Sequence, residues 1–265
     1  MKIGIISDIH GNIYALMRVL EDLDDQKVDT IICLGDLVGY GPHPNEVVSM
    51  IRRKNILCIK GNYDASVVDG AYTYIRDTAI NSFSLPWTVE ELRAENRYYL
   101  DNLPTNITLE FNGKRIKFVH GSNNSINEYL LEDSDNTINI MNSLEEDVLV
   151  CAHTHLPSIK EYNSKLFVND GSVGKPKIGS PDSTYCILDV DKDGNIKGKI
   201  RHVSYEYKRI VKDMQMLNFP AELVRSFEEG RINYCIIYCF IVIRNFFRWI
   251  IDSCINIIFS TAYLY

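Results

Sequence analysis

Short apolar runs, each ended by small or polar residues, punctuate the first part of the chain. Ile3-Gly-Ile-Ile6, Ile31-Ile-Cys-Leu34, Ile56-Leu-Cys-Ile59, Ile116-Lys-Phe-Val119 and Val148-Leu-Val-Cys151 have the length and composition of buried β-strands. Between the first three the period changes. Ile13, Leu16, Met17, Leu20 and Leu23 recur at helical spacing behind Asn12, a good N-cap residue, and Pro44-Asn45 opens a second helix through Val47, Val48 and Ile51. Such a βαβαβ series predicts parallel strands with helical crossovers. Residues 65–104 read as helical, with Thr88-Val-Glu-Glu91 as a capping box that starts a helix and Leu103-Pro104 as a stop. Asn112-Gly113 predicts a hairpin, and 156–203 is rich in strands with turns at Asn163-Ser164 and Asp193-Gly194. One sheet is too few for so many strands, so two sheets packed face to face are expected. Helices are predicted near 207–217 and 221–229.

The pattern changes at the C-terminus. Residues 232–265 contain no Gly, Pro, Lys or Glu and ten Ile. Their uncharged stretches, 232–243 and 253–265, are each shorter than the ~20 residues a spanning helix needs. Arg244, Arg248, Asp252 and Asn256, four apart, make one polar stripe on a helix. The expected organisation is therefore a main domain over 1–231 and an apolar helical appendage over 232–265.

Composition narrows the function classes. The chain of 265 residues is 46% hydrophobic, enough for a sizeable core, and a net charge of −7 with no basic stripe argues against duplex nucleic acid. Seven scattered cysteines without a Cys-x-x-Cys predict reduced, buried thiols, hence a reducing compartment. No secretory signal pattern is visible, so the location expected is cytoplasmic.

The chemistry stands at the ends of the apolar runs, where α/β sheets gather their ligands. Asp8-Ile-His10 follows the first run, Gly35-Asp36 the second, Gly61-Asn62-Tyr63-Asp64 the third, His120-Gly121 the fourth and His153-Thr-His155 the fifth. Any one of these is unremarkable: a lone Asp or Asn there is more often a turn residue, and a lone His a satisfied strand-end group. Together they bring two Asp, one Asn and four His to one sheet edge, the makeup of a two-metal site. Asp8 and Asp36 leave two divalent ions with a net double positive charge, which suits a phosphate ester and a hydroxide.

This order of motifs resembles the calcineurin-like metallophosphoesterases, whose signature is Asp-x-His, Gly-Asp-x-x-Gly, Gly-Asn-x-Asp, His-Gly and His-x-His. Asp8-Ile-His-Gly-Asn12, Leu34-Gly-Asp-Leu-Val-Gly-Tyr-Gly-Pro42 and Gly171-Ser-Val-Gly174 are similar to a bacterial and archaeal branch of small phosphodiesterase-like members. The resemblance covers about residues 1–230. It implies an α/β/β/α sandwich of two mixed sheets. It also implies a first metal on Asp8, His10, Asp36 and His155, and a second on Asp36, Asn62, His120 and His153, with Asp36 bridging. Manganese is named first, with iron, nickel or zinc as alternatives. The implied reaction is in-line attack of metal-bound hydroxide on a phosphodiester, with monoester hydrolysis second and no covalent enzyme intermediate. Asp36, Asn62 and Tyr63 are the catalytic candidates.

Three positions depart from the family pattern. Tyr63 stands where a leaving-group His is common, and a phenol is a poorer proton donor near neutrality. Ala152 replaces a Gly before His153, and Asp170 stands where the branch often has Pro. Asn12, Tyr40 and Tyr63 are the substrate-binding candidates, Asn12 being first of all a helix cap. Asp64 is expected to orient a neighbouring ligand and Ser172 to be structural. The expected partner is a small phosphate ester, with oligomerisation left open. Two other readings stand beside this one. The first is a noncatalytic interaction module, as in the retromer scaffold subunit, whose metal ligands are impaired whereas all seven are present here. The second is a phosphatase docked to a partner or, as the lesser alternative, to a membrane through the tail.

Overall fold

The computed structural model describes residues 1–231. The first sheet begins with β1 (Lys2–Ile6), β2 (Thr30–Cys33) and β3 (Leu57–Cys58), which are parallel and linked by α1 (Ile13–Asp25) and α2 (Pro44–Arg53). Three helices follow, α3 (Asn62–Asp69), α4 (Ala79–Glu91) and α5 (Ala94–Asp101). The second sheet is built from β4 (Asn106–Phe111), β5 (Lys114–Val119), β6 (Val148–Cys151), β7 (Ser158–Tyr162) and β8 (Lys165–Asn169), with α6 (Asp135–Ser143) between β5 and β6. Its order is β4-β5-β6-β8-β7. The chain then returns to the first sheet as β9 (Ser183–Val190) and β10 (Ile196–Val203), giving β10-β9-β1-β2-β3, and ends in α7 (Tyr207–Met216) and α8 (Ala221–Glu229). β9 lies antiparallel against β1, with Ile3 opposite Leu188.

Strand alternation sorts the core into layers. Ile3 and Ile5 of β1 face Ile116, Phe118, Val148 and Val150 between the sheets, whereas Ile6 packs with Leu16, Val19 and Val48 on the helical side. Leu149 and Cys151 of β6 turn the other way, towards Ile140 and Met141 of α6. These are the two mixed sheets with flanking helices of an α/β/β/α sandwich.

Turn chemistry agrees with the sequence reading at two hairpins. Asn112 and Gly113 take φ of 50° and 77°, and Asn163 and Ser164 take 49° and 66°, the left-handed pairs that two-residue hairpins require. The expected capping box is a correction. Thr88 lies inside α4, where its hydroxyl donates to the Ser84 carbonyl, and the cap is Thr78, whose side chain accepts from Asn81 N. Pro86 falls inside α4 rather than ending a helix, and α5 starts only after Arg93. Helix α6 has no counterpart in the sequence reading.

Cys33, Cys58, Cys151 and Cys186 are buried and free, as expected. No helix among the described residues is long and apolar enough to cross a membrane. The apolar helical tail expected over 232–265 lies outside the described residues.

Candidate metal centre

The loops after β1, β2, β3, β5 and β6 converge on one buried cluster. Asp8, His10 and His155 form one triad of potential ligand atoms, and Asp36, His120 and His153 a second. Asp8, His10, Asp36, His153 and His155 all adopt left-handed backbone, with φ between 48° and 66°. Non-glycine residues seldom do so, Asp, Asn and His least reluctantly, and such conformations collect at functional sites. Close loop packing enforces the shape: a Cβ on Gly61 would lie 2.1 Å from Asp36 Oδ1 and 2.2 Å from Asp36 N.

Each carboxylate turns one oxygen to the protein and the other to the cluster. Asp8 Oδ2 accepts from His153 N at 3.0 Å, and Asp36 Oδ1 accepts from Tyr63 N at 2.8 Å. Asp8 Oδ1, Asp36 Oδ2 and His153 Nε2 are buried without any hydrogen-bond partner. The other imidazoles are oriented from behind. Nδ1 of His10 donates to the Val38 carbonyl, Nδ1 of His120 to Leu34 and Nδ1 of His155 to Lys175. A carbonyl can only accept, so these contacts put a proton on Nδ1 and, in the neutral ring a ligand must be, leave Nε2 as a lone pair. The lone pairs of His10 and His155 then face each other at 3.4 Å, and that of His120 faces Asn62 Oδ1 at 2.9 Å. Acceptors aimed at each other in a dry site repel unless a cation lies between them. The donor set, imidazole nitrogen with carboxylate and amide oxygen, therefore fits two divalent ions.

Electrostatics point the same way. Burial would raise the Asp8 carboxyl, but His155, with His10 and His120, outweighs it and holds the group well below its usual value. Asp36 is likewise lowered, against burial, chiefly by His120. Burial opposes charge on His120, yet Asp36 and Asp8 push it up to about 10, so the carboxylates call for positive charge at Nε2, which a proton supplies in the free ring and a bound cation would supply in its place. Burial and then His120 bring His153 down to about 3, and burial and Lys177 bring His155 to about 4, so these two rings are neutral, as ligands must be.

The supporting residues are equally specific. Asp64 accepts from Asp36 N at 2.8 Å, Leu37 N at 2.9 Å and Gly61 N at 3.0 Å, and so ties the second ligand loop to the third. Ser172 Oγ donates to the Asp8 carbonyl, a structural role. Asp170 is fully buried against Ser7 Oγ, which also reaches Asp8 Oδ2. Burial and the neighbouring Asp8 push its carboxyl well above the usual range.

The substrate candidates are enclosed, and Asn12 is a helix cap as expected. Asn12 is fully buried. Its Oδ1 accepts from Ala15 N as the cap of α1, and its Nδ2 donates to the Gly174 carbonyl and the Tyr205 hydroxyl. Tyr63 is buried; its hydroxyl donates to Asn81 Oδ1 at 2.7 Å and hence accepts from Tyr40. Burial and the adjacent Tyr40 raise the Tyr63 phenol well above its usual value. Tyr40 is half-buried, its ring edge-on to His10 at 4.7 Å. Sequence reasoning missed the residues next to these. Lys175 places its ammonium over the Tyr40 ring, and Tyr129 packs 4.4 Å from the His153 ring with Arg76 and Lys177 over its own ring. They lie in irregular loops, where no periodic pattern marks them.

A two-sheet sandwich with paired Asp/His triads at its strand ends defines a dinuclear-metal phosphoesterase. The calcineurin-like phosphoesterase superfamily domain matches residues 1–193, and the chain belongs to that family. An uncharacterized protein of Methanocaldococcus jannaschii is 34% identical over 247 residues, 86% of this chain and 98% of its own length. The phosphodiesterase YfcE of Escherichia coli is 29% identical over 201 residues, 72% of this chain and 89% of its own. Among solved structures, a metallophosphoesterase from Sphaerobacter thermophilus aligns with a TM-score of 0.72 at 27% identity, covering 87% of this chain and 99% of its own.

Proposed function

We propose that this metal-dependent phosphoesterase hydrolyses phosphodiesters in preference to monoesters. Asp8, His10, Asp36 and His155 would hold the first ion, and Asp36, Asn62, His120 and His153 the second. The observation that carries the ligand set is the pair of facing lone pairs, His10 with His155 and His120 with Asn62. Asp36 would serve both sets, since its free Oδ2 lies 3.7 Å from His10 Nε2 and 3.4 Å from His120 Nε2. Bound divalent ions would supply Lewis acidity towards the phosphoryl oxygens and lower the pKa of a coordinated water. Manganese is our first choice, because mixed nitrogen and oxygen donors suit it.

The chain's own contribution is orientation and exclusion of water. The Nδ1 contacts fix three imidazole planes, Asp64 holds the Asp36 loop against Gly61, and burial keeps the cluster dry. Tyr63 closes the wall beside His10, its proton directed at Asn81 rather than at a leaving group. The net double positive charge of two ions with two carboxylates suits a phosphate ester and a hydroxide together. The diester preference is supported by the likeness to a phosphodiesterase. The catalytic unit is proposed to end at Arg231, with 232–265 outside it, and a cytoplasmic location follows from the thiol usage.

The test is a screen of manganese-reconstituted protein against aryl diesters, aryl monoesters, cyclic nucleotides and dinucleotides. Bis(p-nitrophenyl) phosphate should give a higher kcat/KM than p-nitrophenyl phosphate. A higher value for the monoester would overturn the diester reading.

A further inference from the structure

Three cations surround the metal cluster and pair with no carboxylate among the described residues. Lys175 is only 2% exposed, and its Nζ lies 4.6 Å from the centre of the Tyr40 ring. That ring is edge-on to His10, so the ammonium stands beside the first triad. Lys177 and Arg76 stand beside the second. Nζ of Lys177 is 5.9 Å and Cζ of Arg76 is 5.4 Å from the centre of the Tyr129 ring, which leans on His153. The lysines are fixed relative to the ligands, because His155 Nδ1 donates to the Lys175 carbonyl and Lys177 N to the His155 carbonyl.

A buried ammonium without a counter-charge is costly, and proteins keep one where an anion arrives. The scissile diester and a hydroxide together already balance the two ions and two carboxylates. Asp64 and Asp170 do not balance the three cations, being turned to backbone amides and to Ser7 behind the ligand loops. The cations therefore exceed what a single diester requires.

We propose that Lys175, Lys177 and Arg76 form a second anion subsite, so that the preferred substrates carry a further phosphoryl group next to the one hydrolysed, as in phosphoanhydride-linked esters. This rests on the phosphoesterase reading above and names the substrate class of that site. Tyr40 and Tyr129 would support the cations from beneath, their π-faces stabilising positive charge.

The experiment compares pyrophosphate with inorganic phosphate, both as inhibitors of bis(p-nitrophenyl) phosphate hydrolysis and by calorimetric binding to the manganese-loaded full chain. The wild type should bind pyrophosphate more tightly. In Arg76→Met/Lys177→Met that advantage should fall about tenfold or more, the scale of lost charge-assisted hydrogen bonds. Metal chelation by pyrophosphate is common to both proteins and cancels in the ratio. An unchanged ratio, or equal weakening for both anions, would overturn the subsite and assign the cations to the scissile phosphate alone. If the double variant misfolds, Arg76→Met, at an exposed position, carries the same comparison, with Lys175→Met as the buried counterpart. Loss of all ester turnover by the two-metal wild type would sink the phosphoesterase reading instead, and calorimetry would still decide the subsite.

Discussion

Three parallel strands of the first sheet deliver Asp8, His10, Asp36 and Asn62, whereas β5 and β6 of the second deliver His120, His153 and His155 and no carboxylate. Negative charge comes from one side of the sandwich and most of the imidazole from the other. The close pairs Asp8–His155 at 3.3 Å and Asp36–His120 at 3.4 Å both cross between the sheets. Neither half holds a complete triad, since His155 completes one and His120 with His153 the other. The site thus depends on closure of the sandwich, and bound ions would brace the sheets in return.

The strongest way to break this comparison is to remove a ligand from each side. Asp36→Asn should abolish turnover, by about 10³-fold or more, because several kcal/mol of transition-state stabilisation go with the metal pair. It should also release both ions, whereas His155→Ala should release chiefly one. Metal analysis of the two purified variants decides the point, and full metal content in Asp36→Asn would show that the carboxylate side is dispensable.

Chelation tests the bracing itself. Ligands that bind only the folded state at ~100 times their dissociation constant stabilise by about 2.7 kcal/mol. For a domain of this size that corresponds to roughly 5–10 °C in Tm. Protein stripped by a chelator should melt that much lower and recover when manganese is restored. Equal melting temperatures would mean that the sheets hold together independently of the ions.

Position 63 sharpens the comparison within the first sheet. Its hydroxyl proton points at Asn81 Oδ1, so leaving-group acidity should govern the rate. Tyr63→His should raise the ratio of kcat/KM for alkyl over aryl diesters, up to the ~10²-fold at the low end of general-acid help. No change in that ratio, at constant metal content, would make position 63 a wall residue only.

The six Asp and His residues of the two triads are legible in the sequence because each follows an apolar run that reads as a buried strand. Asn112-Gly113 and Asn163-Ser164 were legible because few residues tolerate left-handed backbone. Other features depend on tertiary context. Thr88 looked like a cap because its neighbours suit a first turn, yet Thr78 starts the helix ten residues earlier and Pro86 is carried within it. The left-handed backbone of five ligands arises from loop-on-loop packing, as between Asp36 and Gly61, which the sequence does not spell out. Arg76, Tyr129, Lys175 and Lys177 come from loops far apart in the chain and meet only around the finished cluster.

The smallest expected effect lies away from the metals, where α1 meets β10. Asp22 accepts from Tyr185 OH at 2.6 Å and from Arg201 at 2.9 Å. Burial would raise its carboxyl, but Tyr185 and Arg201 leave it below its ordinary value of 3.8. A depressed folded-state pKa contributes stability that is present above the unfolded value and lost as the pH falls through the folded one. Asp22→Asn should therefore melt slightly lower than the wild type at neutral pH, with the gap closing below about pH 3.8. A gap that persists in acid would trace the loss to packing rather than charge.

The antiparallel pairing of β1 with β9 carries a consequence for biosynthesis. Lys2–Ile6 is made well before its neighbour on one side, Ser183–Val190, which follows about 180 residues later in the chain. At about 5–20 residues per second, roughly 10–35 s pass with that edge of a hydrophobic strand open. During that interval the nascent chain offers a template for stray strand pairing, so cover of that open edge until β9 is made should favour correct folding.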